Sequence, residues 1–420
     1  MTGTTSGTTS APQPVLLREP PTFRRDRAVH AWIGVKALSD AGDAIWSIAL
    51  AWTAVQVASP AVAGLVVAAG TAPRAVVLLF GGVLADRVDA RRVMIVCNVL
   101  RVAVLVGAAL WVLSSPPTVL LLTLAAVAFG VCDAFYEPSA STIARQLVRT
   151  EDLPSYTAVA QTASRLATMG GSAVGGFLVA RSGLLGSASA NAVTFAVVVA
   201  FVAIWLRPRF ALPRADKESA FRGIRRGFAH LRDVPTTRTL VIALSGLNLA
   251  VGPAVGIGIA LRAHDAGWGA RAVGILEACI GLGAALGALS VARWRPRREA
   301  RAGFAALAVQ GLAIVALGTG PVGVAGAACL VVGLTAGYAS TLLGATFAGT
   351  VDPSYLGRMA SITRLGDDVF MPLAMAAFGA LASATTLWVP FAVFGAAMTV
   401  LMMVPLRNPL FREMSLGKRP

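Results

Sequence analysis

The sequence predicts an all-α membrane protein whose twelve transmembrane helices form two pseudo-symmetric six-helix bundles. Three observations lead there. Only 13% of the 420 residues are charged, 56% are apolar, and the mean hydropathy is +0.73. A water-soluble domain ordinarily carries about 25% charged residues, so this chain has too few to coat itself against water. Apolar segments of about 20 residues, the length that crosses a bilayer as a helix, recur twelve times. Finally, the basic residues gather in alternate connections between those segments.

In chain order, residues 1–28 are rich in Thr, Ser and Pro and then basic, a composition expected to give a disordered cytoplasmic tail. The first apolar segment, at about 31–58, is too long for a signal-peptide core and has no small-residue cleavage site behind it, so it is expected to be retained as span 1. Spans 2 to 6 follow at about 60–84, 93–113, 118–142, 156–180 and 186–206. Spans 7 to 12 follow at about 239–261, 269–292, 302–319, 322–348, 359–383 and 386–406. The expected organisation is a first bundle over 29–206, a basic cytoplasmic linker over 207–238, a second bundle over 239–406 and a cytoplasmic tail over 407–420.

Of the 36 Lys and Arg residues, 28 fall on one side if the N-terminus is placed in the cytoplasm, three (Arg181, Arg262, Arg271) on the other, and five within spans. Short cytoplasmic connections retain such an excess, so both ends of the chain are expected inside. The same distribution accounts for the net charge of +16 without a nucleic-acid partner. An internal repeat relates the two halves: Pro154-Ser155-Tyr156 is followed by Arg165-Leu166, and Pro353-Ser354-Tyr355 by Arg364-Leu365 at the same spacing. The two copies open spans 5 and 11, which are equivalent positions in a six-plus-six array.

Between spans 2 and 3 stands Gly81-Gly82-Val83-Leu84-Ala85-Asp86-Arg87-Val88-Asp89-Ala90-Arg91-Arg92. This segment resembles the signature loop of the major facilitator superfamily, approximately G-x-L-A-D-R-x-G-R-R, in the place where that family carries it. Asp89 stands at the second Gly and Ala90 at the basic residue after it. The resemblance implies a gating loop formed by Gly82, Asp86, Arg87, Arg91 and Arg92. Asp86 can pair with arginines or cap a helix N-terminus, contacts that hold one conformation closed. On span 5, Gly171-Ser172-Ala173-Val174-Gly175-Gly176 is similar to the G-P-x-x-G-G motif of drug-proton antiporters, with Ser172 in place of the Pro. There Gly171, Gly175 and Gly176 are expected to let the helix pack closely on a partner, as small residues also do in ordinary membrane helices.

Ionisable groups within spans face a cavity or a partner because lipid excludes them. Lys36, Asp40 and Asp43 share one face of span 1 at i, i+4 and i+7. Lys36 with Asp40, and Arg364 with Asp367 or Asp368, are expected to be structural pairs, and Arg165 on span 5 belongs to the same intramembrane charge set. Arg101 on span 3 is expected either to reach a carboxylate on a neighbouring helix or to snorkel. Asp43 first, then Glu277 and Asp133, have no basic partner one turn away and are the proton-coupling candidates, with Asp40 as the neighbour that influences Asp43. Trp46, Phe135, Tyr136, Tyr338 and Phe370 are the aromatic residues expected to offer surface to an apolar substrate, with plain packing as the alternative.

The four cysteines lie in apolar runs without paired spacing and read as small hydrophobes. No nucleotide-binding Walker pattern and no Cys/His cluster at metal-ligand spacing is present, so neither an enzyme nor a cofactor or metal is expected. The resemblance implies a proton-coupled exporter of a hydrophobic or amphiphilic small molecule, like the drug, macrolide and siderophore exporters of that superfamily. Its partners would be the substrate, protons and the bilayer of the inner (plasma) membrane, and a monomer is expected. An importer or uniporter of a polar solute is the alternative, followed by a membrane receptor or scaffold that transports nothing.

Overall fold

The computed structural model describes residues 21–80, 89–210 and 220–408. Twelve spans are built as helices: α1 Arg27–Val57, α2 Pro60–Phe80, α3 Ala90–Ser114, α4 Val119–Leu147, then a continuous helical run Leu153–Ile204. That run turns at Gly183, whose φ of 58° is open to glycine alone without strain, and so divides into α5 at 153–182 and α6 at 184–204. At 1.5 Å per residue it would otherwise reach about 80 Å, more than twice the hydrocarbon thickness. The second half begins with α7, made of Pro235–Pro253, a π-helical turn Ala254–Gly258 and Ile259–Asp265. It continues as α8 Ala270–Arg293, α9 Glu299–Leu317, α10 Val322–Thr350, α11 Pro353–Ala384 and α12 Trp388–Arg407. A further helix, Ala220–Asp233, precedes α7.

Among the described residues, ten helical segments are long and apolar enough to cross a membrane, one of them being the bent α5–α6 run. The 31-residue α1 has the length, but Lys36, Asp40 and Asp43 interrupt its apolar stretch.

Packing repeats between the halves. In the first, α1 packs on α5, α2 on α4, and α3 on α4 and α6; in the second, α7 packs on α11, α8 on α10, and α9 on α10 and α12. Each second-half pair is the first-half pair advanced by six helices, which is the repeat read from the sequence. The repeated tyrosines also have comparable places. The Tyr156 ring meets Phe23, just before α1, edge-on at 6.4 Å, and its hydroxyl accepts from Trp32 Nε1 at 3.0 Å. Tyr355 stacks at 4.3 Å on His230 of the helix before α7. The largest fully buried side chains include Trp32, Phe195, Phe304, Phe378 and Phe391, but also Arg101.

The four cysteines are free. They are not all solitary, because the Cys97 and Cys132 thiols meet across α3 and α4. Spacing along the chain gave no sign of that pair.

Candidate functional site: charges and seams between the halves

The two halves meet through α2 with α11, α5 with α8, and α1 with the end of α7. All three contacts lie toward the face opposite the arginine-rich one. Where α2 begins, the Ala61 amide donates to Ser383 Oγ at 2.9 Å, and a methyl on Gly64 would stand 3.0 Å from the Gly379 Cα. Trp52 of α1 meets His264 of α7 edge-on at 5.9 Å.

The glycine motif makes the third seam. A methyl on Gly171 would lie 2.7 Å from the Ala41 Cα, and one on Gly175 would lie 2.9 Å from the Ile45 Cα, both on α1. On Gly176 it would lie 2.8 Å from the Gly274 Cα of α8. Two helix backbones therefore touch α5 at once, a geometry that admits no side chain. One turn before Gly176, the buried Ser172 hydroxyl donates to Glu277 Oε2 at 2.9 Å across the same seam. Glu277 is thus not solitary on span 8 as its sequence position suggests; its partner is the residue that stands where the antiporter motif has Pro.

In the first half, Lys36 Nζ pairs with Asp40 at 3.0 Å as the i, i+4 spacing predicts. Asp43, one turn on, makes no ion pair or hydrogen bond among the described residues and is half-buried. Asp133 is not the unpartnered carboxylate expected. It binds Arg101 of α3 and, at 3.0 Å, Arg74 of α2. Arg101 does not snorkel: its side chain is 1% exposed, with its guanidinium 4.8 Å from the Tyr136 ring centre and 4.9 Å from that of Phe195. Asn98 Oδ1 accepts from it at 3.3 Å. The pairing has a simple cause, since a carboxylate and two guanidiniums share one site that lipid cannot solvate.

In the second half, Asp367 accepts from Asn248 Nδ2 at 2.6 Å. Among the described residues Arg364 forms no ion pair with Asp367 or Asp368, contrary to the expected structural pair, because the Asp367 carboxylate is turned to α7 instead. The three side chains line a cleft of about 360 Å³ with Leu244, Phe347, Ala360 and Thr363, toward the arginine-rich ends of α7, α10 and α11. The charges of both Arg74 and Arg364 act on Asp368, so the first half faces the second electrostatically here. Arg165 is exposed and unpaired among the described residues.

The aromatic candidates divide. Trp46 is 4% exposed and stacks on Phe129 at 5.2 Å, and Tyr136 is 3% exposed beneath Arg101. In this conformation both are packing residues and not cavity walls. Phe135 and Tyr338 are half-buried, and Phe370 is 54% exposed.

Gly82, Asp86 and Arg87 of the expected gating loop lie outside the described residues. Asp89, the departure from the family pattern, is the N-cap of α3: its side chain accepts from the Arg91 amide at 2.8 Å and the Arg92 amide at 3.4 Å. Arg91 donates from its side chain to the Val202 carbonyl at 2.9 Å and the Ala203 carbonyl at 2.5 Å, satisfying the C-terminal end of α6. The Arg92 side chain is exposed.

Two sets of residues were missed from sequence. The sequence reading assigns no role to Arg74 or to Asn248, which bond to Asp133 and Asp367. Their signal was the rarity of such groups in apolar helices; their partners, 59 and 119 positions away, had none.

Two pseudo-symmetric helical bundles, joined by small-residue seams on one face and carrying charged side chains and a cleft toward the other, define a multi-pass membrane transporter. Residues 34–375 match the Major Facilitator Superfamily, and the chain belongs to that family. It is 29% identical over 293 residues to the enterobactin exporter EntS of Shigella dysenteriae serotype 1 (strain Sd197), covering 67% of each chain. Its fold is shared with crystal structures of the nucleoside transporter NupG (TM-score 0.69, 12% identity, 90% of this chain and 98% of that one). It is shared also with a POT family transporter bound to a thioalcohol-conjugated peptide (0.71, 12%, 91% and 96%). A bacterial homologue of the iron transporter ferroportin in its inward-facing state has the same fold (0.69, 14%, 91% and 99%).

Proposed function

We propose that the protein is a proton-coupled secondary transporter that exports a hydrophobic or amphiphilic small molecule across the inner (plasma) membrane by alternating access. Its two bundles, over 29–206 and 239–406, rock about a central site, and both ends of the chain and the 207–238 linker are cytoplasmic. The observation that carries the reading is the similarity to a siderophore exporter over two thirds of each chain. The arginine distribution supports the orientation. With that orientation the seams of α2 with α11 and α5 with α8 close the outer side, and the cleft beside Asp367 and Asp368 opens inward, ready to take substrate from the cytoplasm.

Proton exchange falls to a carboxylate that is not neutralised by a fixed cation. Asp43 and Glu277 meet that condition, whereas Asp133, held by two arginines, does not. The Asp43→Asn and Glu277→Gln variants test this, because a coupling residue is needed for accumulation against a gradient and not for downhill exchange. The test is uphill efflux and downhill counterflow in reconstituted vesicles with an imposed proton gradient, the substrate first being chosen by a susceptibility panel on a strain lacking the protein. Undiminished uphill transport by both variants would overturn carboxylate-based coupling.

Import of a polar solute is the competing reading, favoured by the charged lining of the cleft around Arg364, Asp367 and Asp368. The direction of flux in the same vesicles separates the two.

A further inference from the structure

The seam between α5 and α8 combines two features that ordinary helix packing keeps apart. Around Gly176 and Gly274 the helices touch backbone to backbone. Such a contact forms only when the halves are fully together. One turn deeper, in the same seam, sits an ionisable side chain, Glu277, held across the gap by a single hydroxyl from the other half. Its surroundings are neutral. α5 offers Ser172 and, nearer its middle, Met169, which packs on Gly281; α10 offers Cys329; α8 itself offers Cys279. The charged groups on these elements stand elsewhere. Arg271 is on Phe177 at the outer end of the seam, Arg262 is with Asp265 at the end of α7, Arg165 and Arg181 are exposed on α5, and Arg293 closes the far end of α8. On α1, which meets α5 at Ala41 and Ile45, Lys36 is with Asp40 and Asp43 makes no ion pair or hydrogen bond among the described residues.

A carboxylate with one hydroxyl donor and no cation is poorly compensated in a dry helix seam, while a neutral carboxyl fits there with its hydrogen bond intact. If the halves part on this face, water reaches Glu277 and solvates the ionised form. Closure therefore selects the protonated side chain and opening the ionised one, by the ordinary rule that a ligand shifts a two-state equilibrium through its differential affinity for the states.

We propose that Glu277 is the group whose proton closes the seam between α5 and α8, and that Ser172 is its positioning residue across the two halves. The proton binds a carboxylate oxygen of Glu277 as the seam closes and leaves to water when it opens. This rests on the transport reading above and gives its proton a location.

The test needs no substrate. In the full chain with its four cysteines replaced by alanine, Ser182→Cys and Arg271→Cys place spin labels at the two exposed outer ends of the seam, and their separation is measured from acidic to mildly alkaline buffer. A short distance at acid pH, giving way to a second, longer distance as the pH rises, is expected. Glu277→Gln should stay short throughout, and Glu277→Asp should restore the response. Ser172→Ala should keep the response but lower the closed-to-open ratio at each pH by roughly fivefold, the worth of one hydrogen bond. A parent distance that ignores pH, or a Glu277→Gln protein that responds normally, overturns the proposal, as does a Ser172→Ala ratio equal to the parent's. Failure of the latch and failure of the export reading are distinguishable. A pH response that follows Glu277 in a protein that exports no probe of the panel overturns export and leaves the latch, whereas proton-driven efflux undiminished in Glu277→Gln does the reverse.

Discussion

The two halves share a packing plan but treat the carboxylates in the middle of their spans differently. In the first, Asp40 is matched by Lys36 and Asp133 by both Arg74 and Arg101. In the second, Glu277 and Asp367 are held by neutral donors, the hydroxyl of Ser172 and the amide of Asn248. A carboxylate bonded to arginine is fixed in its charge; one bonded to a hydroxyl or an amide keeps its geometry with or without a proton. On the reading proposed above the first set is structural, while Glu277, like Asp43 in the first half, is left free to titrate.

The largest test of this division is Asp133→Asn. It leaves Arg101, fully buried, without its counter-charge, and stability should fall by about 3 kcal/mol. Thermal unfolding in detergent measures this, and recovery is expected when Arg101 is replaced by Leu in the same chain. A small loss for Asp133→Asn would break the division on the first-half side. Arg91→Ala comes next: it frees the C-terminal carbonyls of α6, and a loss of about 1–2 kcal/mol is expected in the same assay. The repeated tyrosines sharpen the comparison further. Tyr156→Phe removes the acceptor for Trp32 and should cost about 1 kcal/mol, whereas Tyr355→Phe, which keeps its stacking on His230, should cost a few tenths of that. Least affected should be Glu277→Gln and Asp367→Asn, each within about 1 kcal/mol of the parent, because an amide can still accept from its neutral partner. A large loss in either would place that carboxylate with the structural set.

The spans, the repeat and the Lys36–Asp40 pair were legible because each is local: an apolar run of fixed length, a recurring spacing, an i, i+4 step on one helix face. The same local rule misled at Arg364, where the helical neighbours Asp367 and Asp368 are at pairing distance in sequence but Asp367 bonds to α7. Asp133 looked unpartnered for the complementary reason, its cations being 32 and 59 positions away on other helices. Ser172 read as a defect in a packing motif, because its role depends on Glu277, 105 positions on and in the other half. Asp89 likewise read as a departure from a loop pattern, and its capping of α3 became visible only once the start of that helix was placed.

The turn at Gly183 joins α5 and α6 through a single residue outside helical geometry, and the two residues 58–59 separate α1 from α2. The other connections on that face are 115–118, 266–269, 318–321 and 385–387. A protease or antibody approaching from this side therefore meets six tight turns and almost no chain to grip. An epitope tag meant to be read there without disturbing the bundles belongs in one of the four-residue connections, since an insertion at Gly183 would prise apart two helices that share one bend.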